Sequence, residues 1–419
     1  MRALAVPVRV GIIGTGSMGK GLLYQCEATP GVECVAAADI RLERAVECAR
    51  WIGSDPVVVD SVSGMTEAIR RGRFGVCDDG DLVAAADGID VLVEASSSIL
   101  EAGMFAEAGI RHGKHLVLMN AEVDLIFGPY LASLAHRHGV VYTSCDGDQH
   151  GVIKRLWDDV CFWGFDPVMA GNIKGFLDRY ANPTSIVPEA DKRRLDHRMA
   201  TAYTDGTKLC VEMSLLANAL GLGTLRPGMV GPRAAHVSEV LGLFDFQAIR
   251  DRELPVVDYI LGAEPGGGVF AVAYHDDPYQ RDMMAYYKMG AGPFYVFHRP
   301  YHLCHVEAVA SIMETQLRGK SLLSPPAGFR TNVHAYAKRD LQCGERLDGV
   351  GGYTCYGLVE ERSPAEADPR LPICLADDVA LNRAIRKDEP ILLPDVAVPR
   401  GRADFAMYAL AEKASRECL

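Results

Sequence analysis

No stretch of the chain approaches the ~18 consecutive apolar residues that a membrane-spanning helix requires. Blocks of Lys or Arg are absent too, and the formal net charge is -12, which argues against a nucleic-acid surface or an anionic bilayer as partner. Cys-x-x-Cys is missing: the twelve cysteines stand singly in a chain of 419 residues, so they read as small buried hydrophobes rather than a disulfide framework. The opening MRALAVPVRVGIIG carries no cleavage-site pattern before its first strand-like run, and the chain reads as cytoplasmic. No internal repeat or low-complexity tract is visible. What is present is an ordinary globular composition, 49% hydrophobic and 23% charged, enough for two or three domains and suited to a small-molecule ligand.

VRVGIIGTGSMGKGLLYQC is a β-branched run, then Gly14-x-Gly16-Ser17-Met18-Gly19, then a helical pattern. The first glycine permits a tight turn, the second lets a pyrophosphate approach the backbone, and the third lets helix and strand pack closely. A second strand, VECVAAADI, ends on Asp39, 20 residues after Gly19, where an acid accepts hydrogen bonds from ribose hydroxyls and favours NAD. Arg41 suits a 2′-phosphate, so the cofactor is read as NADP or NAD.

Alternation continues through GIDVLVEAS, a helix from Gly103 to His112, KHLVLMN, a helix from Tyr130 to His138, and VVYTSC. This predicts an α/β Rossmann fold with a doubly wound parallel sheet over 1–150. The chemistry then belongs beyond the carboxyl ends of the strands, at Ser96 to Ser98, Asn120 to Glu122 and Cys145 to His150. Ser96 and Asn120 are expected at the cofactor. Helix or turn capping is the plainer reading of any one acid among Glu122, Asp146 and Asp148.

From 151 to 325 the alternation fades into Gly/Pro-rich loops and longer helices, as an α+β substrate domain would. Its most informative stretch is YTDGTKLCVEMSLLANALGL, helical from Lys208, with Asp205, Lys208 and Glu212 at i, i+3 and i+7. A capped helix with a solvated Lys–Glu pair would contribute only about 0.2–0.5 kcal/mol. The sharper reading is a proton-transfer cluster in a cleft. Lys174 lies in GNIKGF. In HRPYHLCHVEAVASI, Pro300 breaks the histidine spacing that a zinc helix would need, so no metal site is assigned, and Arg299 and His302 read instead as contacts to an anionic substrate or the cofactor. The helix near 303–319 is expected to return to the nucleotide domain. After the linker SLLSPPAGFRTN, short strands over 330–419 predict a small all-β domain.

Taken together, these motifs resemble a known family. The nucleotide domain is similar to homoserine dehydrogenase, which carries a lysine where this chain has Glu122. The closer resemblance, over nearly the whole chain, is to the DXR-like reductoisomerase group, homoserine-dehydrogenase-related enzymes with a carboxyl-terminal SAF (β-clip) domain. It rests on NAEVD, GDQ at Gly147 to Gln149, TDGTK, Glu212-Met213, Ala217-Asn218, RPYHL at Arg299 to Leu303, and AKRDLQCGERLDGVGGY. In that group GDQ is commonly followed by Pro; here it is His150, read as a substrate contact.

The resemblance implies NADPH-linked reduction or reductive isomerisation of a small ketose or ketose phosphate, such as 1-deoxy-D-xylulose 5-phosphate. Lys208, its pKa lowered by burial, would exchange a proton with the carbonyl oxygen, and Asp205 and Glu212 would hold its ammonium or bind substrate hydroxyls. Glu122 and Asp148 are candidates for a second acid–base group or for oxygen ligands of Mg²⁺ or Mn²⁺. Lys174, Lys208 and Arg299 are candidates for a phosphate or carboxylate. A plain dehydrogenase or redox epimerase on a polyol or amino alcohol is the alternative, and a cofactor-binding regulator without turnover a third. A homodimer or higher homo-oligomer is expected by fold analogy.

Overall fold

The computed structural model describes residues 6–193, 195–326, 328–362 and 368–417. The first five residues, read above for a leader, lie outside this set, as does Ala327 of the linker stretch. The chain divides into two compact units. The first comprises residues up to Gly151, with Leu303–Ser324 and Met407–Ala414. The second comprises Val152–His302, Pro325–Ala406 and the chain end from Ser415.

The first unit is built on seven strands: β1 (Val8–Ile13), β2 (Val32–Ala38), β3 (Val57–Val58), β4 (Gly75–Cys77), β5 (Val91–Glu94), β6 (His115–Leu118) and β7 (Tyr142–Ser144). Their order is β3-β4-β2-β1-β5-β6-β7, every pair parallel, so the order reverses direction beside β1. Helices α1 (Ser17–Ala28), α2 (Leu42–Trp51), α3 (Val62–Arg70), α4 (Gly80–Ala85), α5 (Leu100–Arg111) and α6 (Ala121–His138) make the connections. This is a Rossmann-like doubly wound sheet. A parallel sheet covered on both faces has apolar strands throughout, and Val10, Ile12, Val91, Val93 and Val117 are fully buried in one cluster. Each contributes on the order of 1.5–3 kcal/mol.

α6 is capped by the Asn120 side chain at its start and by left-handed Gly139 at its end. α7 (Gln149–Phe162) then leads into the second unit.

There β8 (Asp166–Lys174), β9 (Val256–Leu261), β10 (Val269–Tyr274) and β11 (Phe294–Arg299) form a mixed sheet in the order β11-β10-β8-β9. Helices α8 (Val187–Arg193), α9 (His197–Thr204), α10 (Thr207–Leu220), α11 (Phe246–Arg250) and α12 (Pro278–Tyr286) accompany it. α13 (Cys304–Arg318) belongs to the first unit. Beyond it lie β12 (Thr331–Ala337), β13 (Arg346–Asp348), β14 (Cys355–Glu361), β15 (Asp377–Leu381) and β16 (Val396–Ala397), as an antiparallel β12–β14 pair and a β13-β15-β16 sheet. The expectation of an all-β end is corrected here: α14 (Ala403–Glu417) closes the chain, burying Met407, Tyr408, Ala411 and Ala414 at helical spacing. Among the described residues no helix is long and apolar enough to cross a membrane.

α10 is tied to the β12–β14 pair by its own polar residues. The Thr207 hydroxyl accepts the Gly357 amide at 2.8 Å, Ser214 meets Thr331 hydroxyl to hydroxyl at 2.8 Å, and the Asn218 carbonyl accepts the amides of Arg330 and Thr331. These buried bonds fix where the rest of the helix points.

Candidate active site

The glycine-rich turn joins β1 to α1. Gly14 has φ 92°, and a Cβ there would lie 2.6 Å from the Ser96 amide nitrogen. A Cβ on Gly19 would sit 1.8 Å from the Gly14 carbonyl oxygen, whereas Gly16, the N-cap of α1, has nothing within 4 Å. Two glycines close the turn and the third leaves its mouth open. Ser17 and Met18 are exposed beside it.

Asp39 follows β2 with its carboxylate already ordered. One oxygen accepts the Thr15 amide and hydroxyl, both at 2.9 Å, and the other accepts the Arg41 amide at 3.0 Å. Arg41 is exposed. Beyond β5, Asn120 donates to the carbonyls of Ser96 at 3.0 Å and Ser98 at 2.6 Å, which holds that loop against the glycine turn.

Glu94, the last residue of β5, was not among the sequence candidates. Its carboxylate accepts the Ser96 amide at 2.8 Å and is fully buried. Burial pushes the carboxyl up to about 7, against hydrogen bonds from Ser96 and Asn120 and helped by the charge of Glu122. The available signal was an acid ending an otherwise apolar strand at the crevice.

Glu122 and Asp124 stand in the first turn of α6, both buried. Asp124 accepts the hydroxyls of Tyr142 and Ser144, and burial lifts it to about 6. After β7, Asp146 accepts the Gly147 amide and donates its own to Ser311 on α13 at 2.7 Å. Asp148 accepts the Gln149 amide at 2.9 Å and lies 4.0 Å from the Cys304 sulfur. His150 is buried. Thus the first unit gathers the cofactor candidates together with Glu122, Asp148 and His150 at its strand ends.

Lys174, Asp205, Lys208, Glu212, Arg299 and His302 belong to the second unit. Lys208 and Glu212 sit one turn apart on α10 and are 6% and 3% exposed, so the solvated-pair reading is excluded. Asp205 does not share their helix: it closes α9, and left-handed Gly206 separates it from α10. Its carboxylate accepts the Thr207 amide at 2.8 Å and pairs with the Lys338 ammonium at 2.8 Å. Burial raises the Asp205 pKa, with Lys338 opposing. Lys338 also donates to the carbonyls of Ala181 and Gly352, both at 2.7 Å, so it braces the α9–α10 turn against the segment after β12. A lysine so distant in sequence gave no local signal.

Lys174 ends β8 with its ammonium 5.9 Å from the Tyr203 ring, and Arg299 ends β11 4.7 Å over Tyr301. His302 Nδ1 lies 2.7 Å from the Gly267 carbonyl. A carbonyl only accepts, so Nδ1 carries the proton and a neutral ring keeps Nε2 as an acceptor.

Residues 147–308 match the family model of the oxidoreductase DRL catalytic domain. The match takes in β8 to β11, α10 and each of the second-unit candidates just placed, and it supports an oxidoreductase. No curated protein matches the chain. Among solved structures, a probable dehydrogenase from Thermotoga maritima is 10% identical, covering 75% of this chain and 90% of that one at a TM-score of 0.44. The 1-deoxy-D-xylulose 5-phosphate reductoisomerase of Zymomonas mobilis, solved with NADPH, is 16% identical over 49% of this chain and 56% of that one, TM-score 0.36. The myo-inositol dehydrogenase of Lactobacillus casei, solved with NAD(H) and myo-inositol, is 16% identical over 45% and 54%, TM-score 0.30. The chain thus spans just over half the length of the last two.

Proposed function

We propose that the protein is an NAD(P)-dependent oxidoreductase of the DXR-like kind, which reduces or reductively isomerises a small ketose or ketose phosphate. The observation that carries this reading is the burial of Lys208 and Glu212 one turn apart on α10, inside the segment matched to an oxidoreductase catalytic domain. Removing an ammonium and a carboxylate from water costs several kcal/mol per ion unless they are paired, and a stripe that only stabilised a helix would stay solvated.

The turn from Gly14 to Gly19 would hold the pyrophosphate and Asp39 the adenosine ribose, while Arg41 would meet a 2′-phosphate. The nicotinamide, when bound, supplies or accepts the hydride. Lys208 exchanges the proton at the carbonyl oxygen, with Glu212 orienting its ammonium or a substrate hydroxyl, and Asp205 positions the start of α10 through Lys338. Lys174 and Arg299 hold a phosphate or carboxylate, and His302 and His150 contact hydroxyls. For the isomerisation, Glu122 or Asp148 removes a hydroxyl proton. These carboxylates also suit Mg²⁺ or Mn²⁺, which take oxygen donors and would polarise the substrate carbonyl. The chain is proposed to act as a homodimer or higher homo-oligomer.

The test is a panel of C4 to C6 ketoses and their phosphates with NADPH or NADH and Mg²⁺, followed at the nicotinamide absorbance. One ketose should oxidise the cofactor, and Lys208→Met should lower that rate by about 10²–10⁴-fold. A rearranged carbon chain in the product by carbon NMR supports reductive isomerisation, and an intact one supports simple reduction. Silence across the panel counts against the reading.

A further inference from the structure

Three strands of the first unit end level with one another. Ile13, the last residue of β1, pairs with Ala38 at the end of β2 on one side and with Glu94 at the end of β5 on the other. The ladder runs one residue further, the Gly14 amide donating to the Ala38 carbonyl and the Ala95 amide to the Ile13 carbonyl, both at 2.8 Å. Asp39, the glycine-rich turn and the segment from Ala95 to Ser98 therefore leave the sheet side by side. A dinucleotide with its adenosine ribose at Asp39 and its pyrophosphate on the turn has its nicotinamide half over the end of β5.

An acid is a costly residue to end that strand. Val91, Leu92 and Val93 before it are fully buried, and so is Glu94, which has no ion pair among the described residues. Its Oε2 has no hydrogen-bond partner among the described residues either, a cost that an apolar side chain would not carry.

What the carboxyl does is hold backbone. Its Oε1 accepts the Ser96 amide at 2.8 Å, while Asn120 donates to the Ser96 carbonyl at 3.0 Å and the Ser98 carbonyl at 2.6 Å. Ser96 is thus gripped at both its amide and its carbonyl by side chains. The gripped segment lies against the glycine turn, where a Cβ on Gly14 would come 2.6 Å from the Ser96 nitrogen. Burial pushes the Glu94 carboxyl up to about 7, so below that pH it keeps its proton and glutamine is its nearest substitute.

We propose that Glu94 is a positioning residue for the nicotinamide half of the cofactor: it fixes Ser96, and with it the segment to Ser98, where that half must lie. The adenosine half is held by the glycine turn and Asp39 without its help. This inference rests on the dinucleotide reading above.

The experiment compares the full chain with Glu94→Met and Glu94→Gln. NADPH and NADH are titrated by nicotinamide fluorescence, and ADP and adenosine 2′,5′-bisphosphate, which lack the nicotinamide half, by thermal unfolding. Glu94→Met should weaken the reduced dinucleotide by about ten-fold, the scale of one hydrogen bond and the order it imposes. Its melting temperature should not fall, because a buried acid with an unpaired oxygen has been removed. Glu94→Gln, whose amide oxygen still accepts the Ser96 amide, should bind within about two-fold of the wild type. The two adenosine ligands should shift the melting temperature equally in all three proteins. Should Glu94→Met not fold, Glu94→Asp, one methylene shorter, takes its place with the same expectation. The proposal is overturned if the shortened or apolar variant binds the dinucleotide like the wild type, if the adenosine ligands are lost in step with it, or if Glu94→Gln fails to restore binding. A wild type that binds neither NADPH nor NADH instead brings down the dinucleotide reading itself, and this inference with it.

Discussion

The strand ends of the parallel sheet and the β12–β14 pair both bury carboxylates, and they treat them in opposite ways. At the strand ends Glu94 is met by Ser96 and Asn120 and Asp124 by the hydroxyls of Tyr142 and Ser144, with no ion pair to either among the described residues. Burial leaves them near 7 and 6, able to change protonation at working pH. Around β12 and β14 the acids are locked as ions. Glu360 and Asp368 flank His334 at 3.3 and 3.1 Å and share Arg370 at 2.6 and 2.7 Å, and both pKa values lie below the ordinary range despite burial. Asp205 and Lys338 form a second closed pair. Charges closed into sets hold a fold; acids left protonatable at a crevice are available to a reaction.

The largest effect should come from opening a closed pair. Lys338→Met leaves Asp205 buried without its cation and should cost about 3–5 kcal/mol, measured by urea unfolding. A loss under 1 kcal/mol would erase the distinction between the two regions.

Glu94 gives the next effect. Its folded pKa of about 7 lies above the unfolded value, so between about pH 4.5 and 7 the folded state keeps a proton that the unfolded state has released. Stability therefore falls as pH rises through that window, by up to about 3 kcal/mol, and Glu94→Gln should flatten the slope. An unchanged slope would mean that this acid is held as an ion after all.

Asp368 should show the mirror image at smaller amplitude. Its pKa is depressed, mainly by His334 and Arg370 working against burial, so its contribution is present above the unfolded carboxyl value and lost as pH falls toward its own. Asp368→Asn should remove that acid-side loss and cost about 1–3 kcal/mol at neutral pH, since Arg370 retains Glu360.

The doubly wound sheet was legible because its signals are local: apolar runs such as VRVGII, and glycines at fixed spacing before a helix. β3 and β4, of two and three residues, are too short to carry periodicity and went unread, as did α3 between them. Over 151–325 the four-stranded sheet was hidden because its neighbours β8 and β9 are separated in sequence by α8 to α11, while β9 and β10, consecutive along the chain, do not pair. The polar stripe on α10 was visible, but the bracing of Asp205 was not: Lys338 reaches it from a segment that only the folded chain brings near. The same holds for the His334 cluster, whose acids and arginine come from β14 and the segment beyond it.

The central claim, that the glycine-rich turn of this chain seats a dinucleotide, is tested most directly at Gly16. With φ −66° and nothing within 4 Å of its would-be Cβ, this position accepts a side chain without strain, unlike Gly19. Gly16→Asp places a carboxylate where the pyrophosphate must lie. Titrated with NADPH and NADH by nicotinamide fluorescence, the wild type should bind at least one saturably, and the variant should lose that binding with its melting temperature unchanged. Saturable binding retained in Gly16→Asp, or none in the wild type with either nucleotide, would contradict the account.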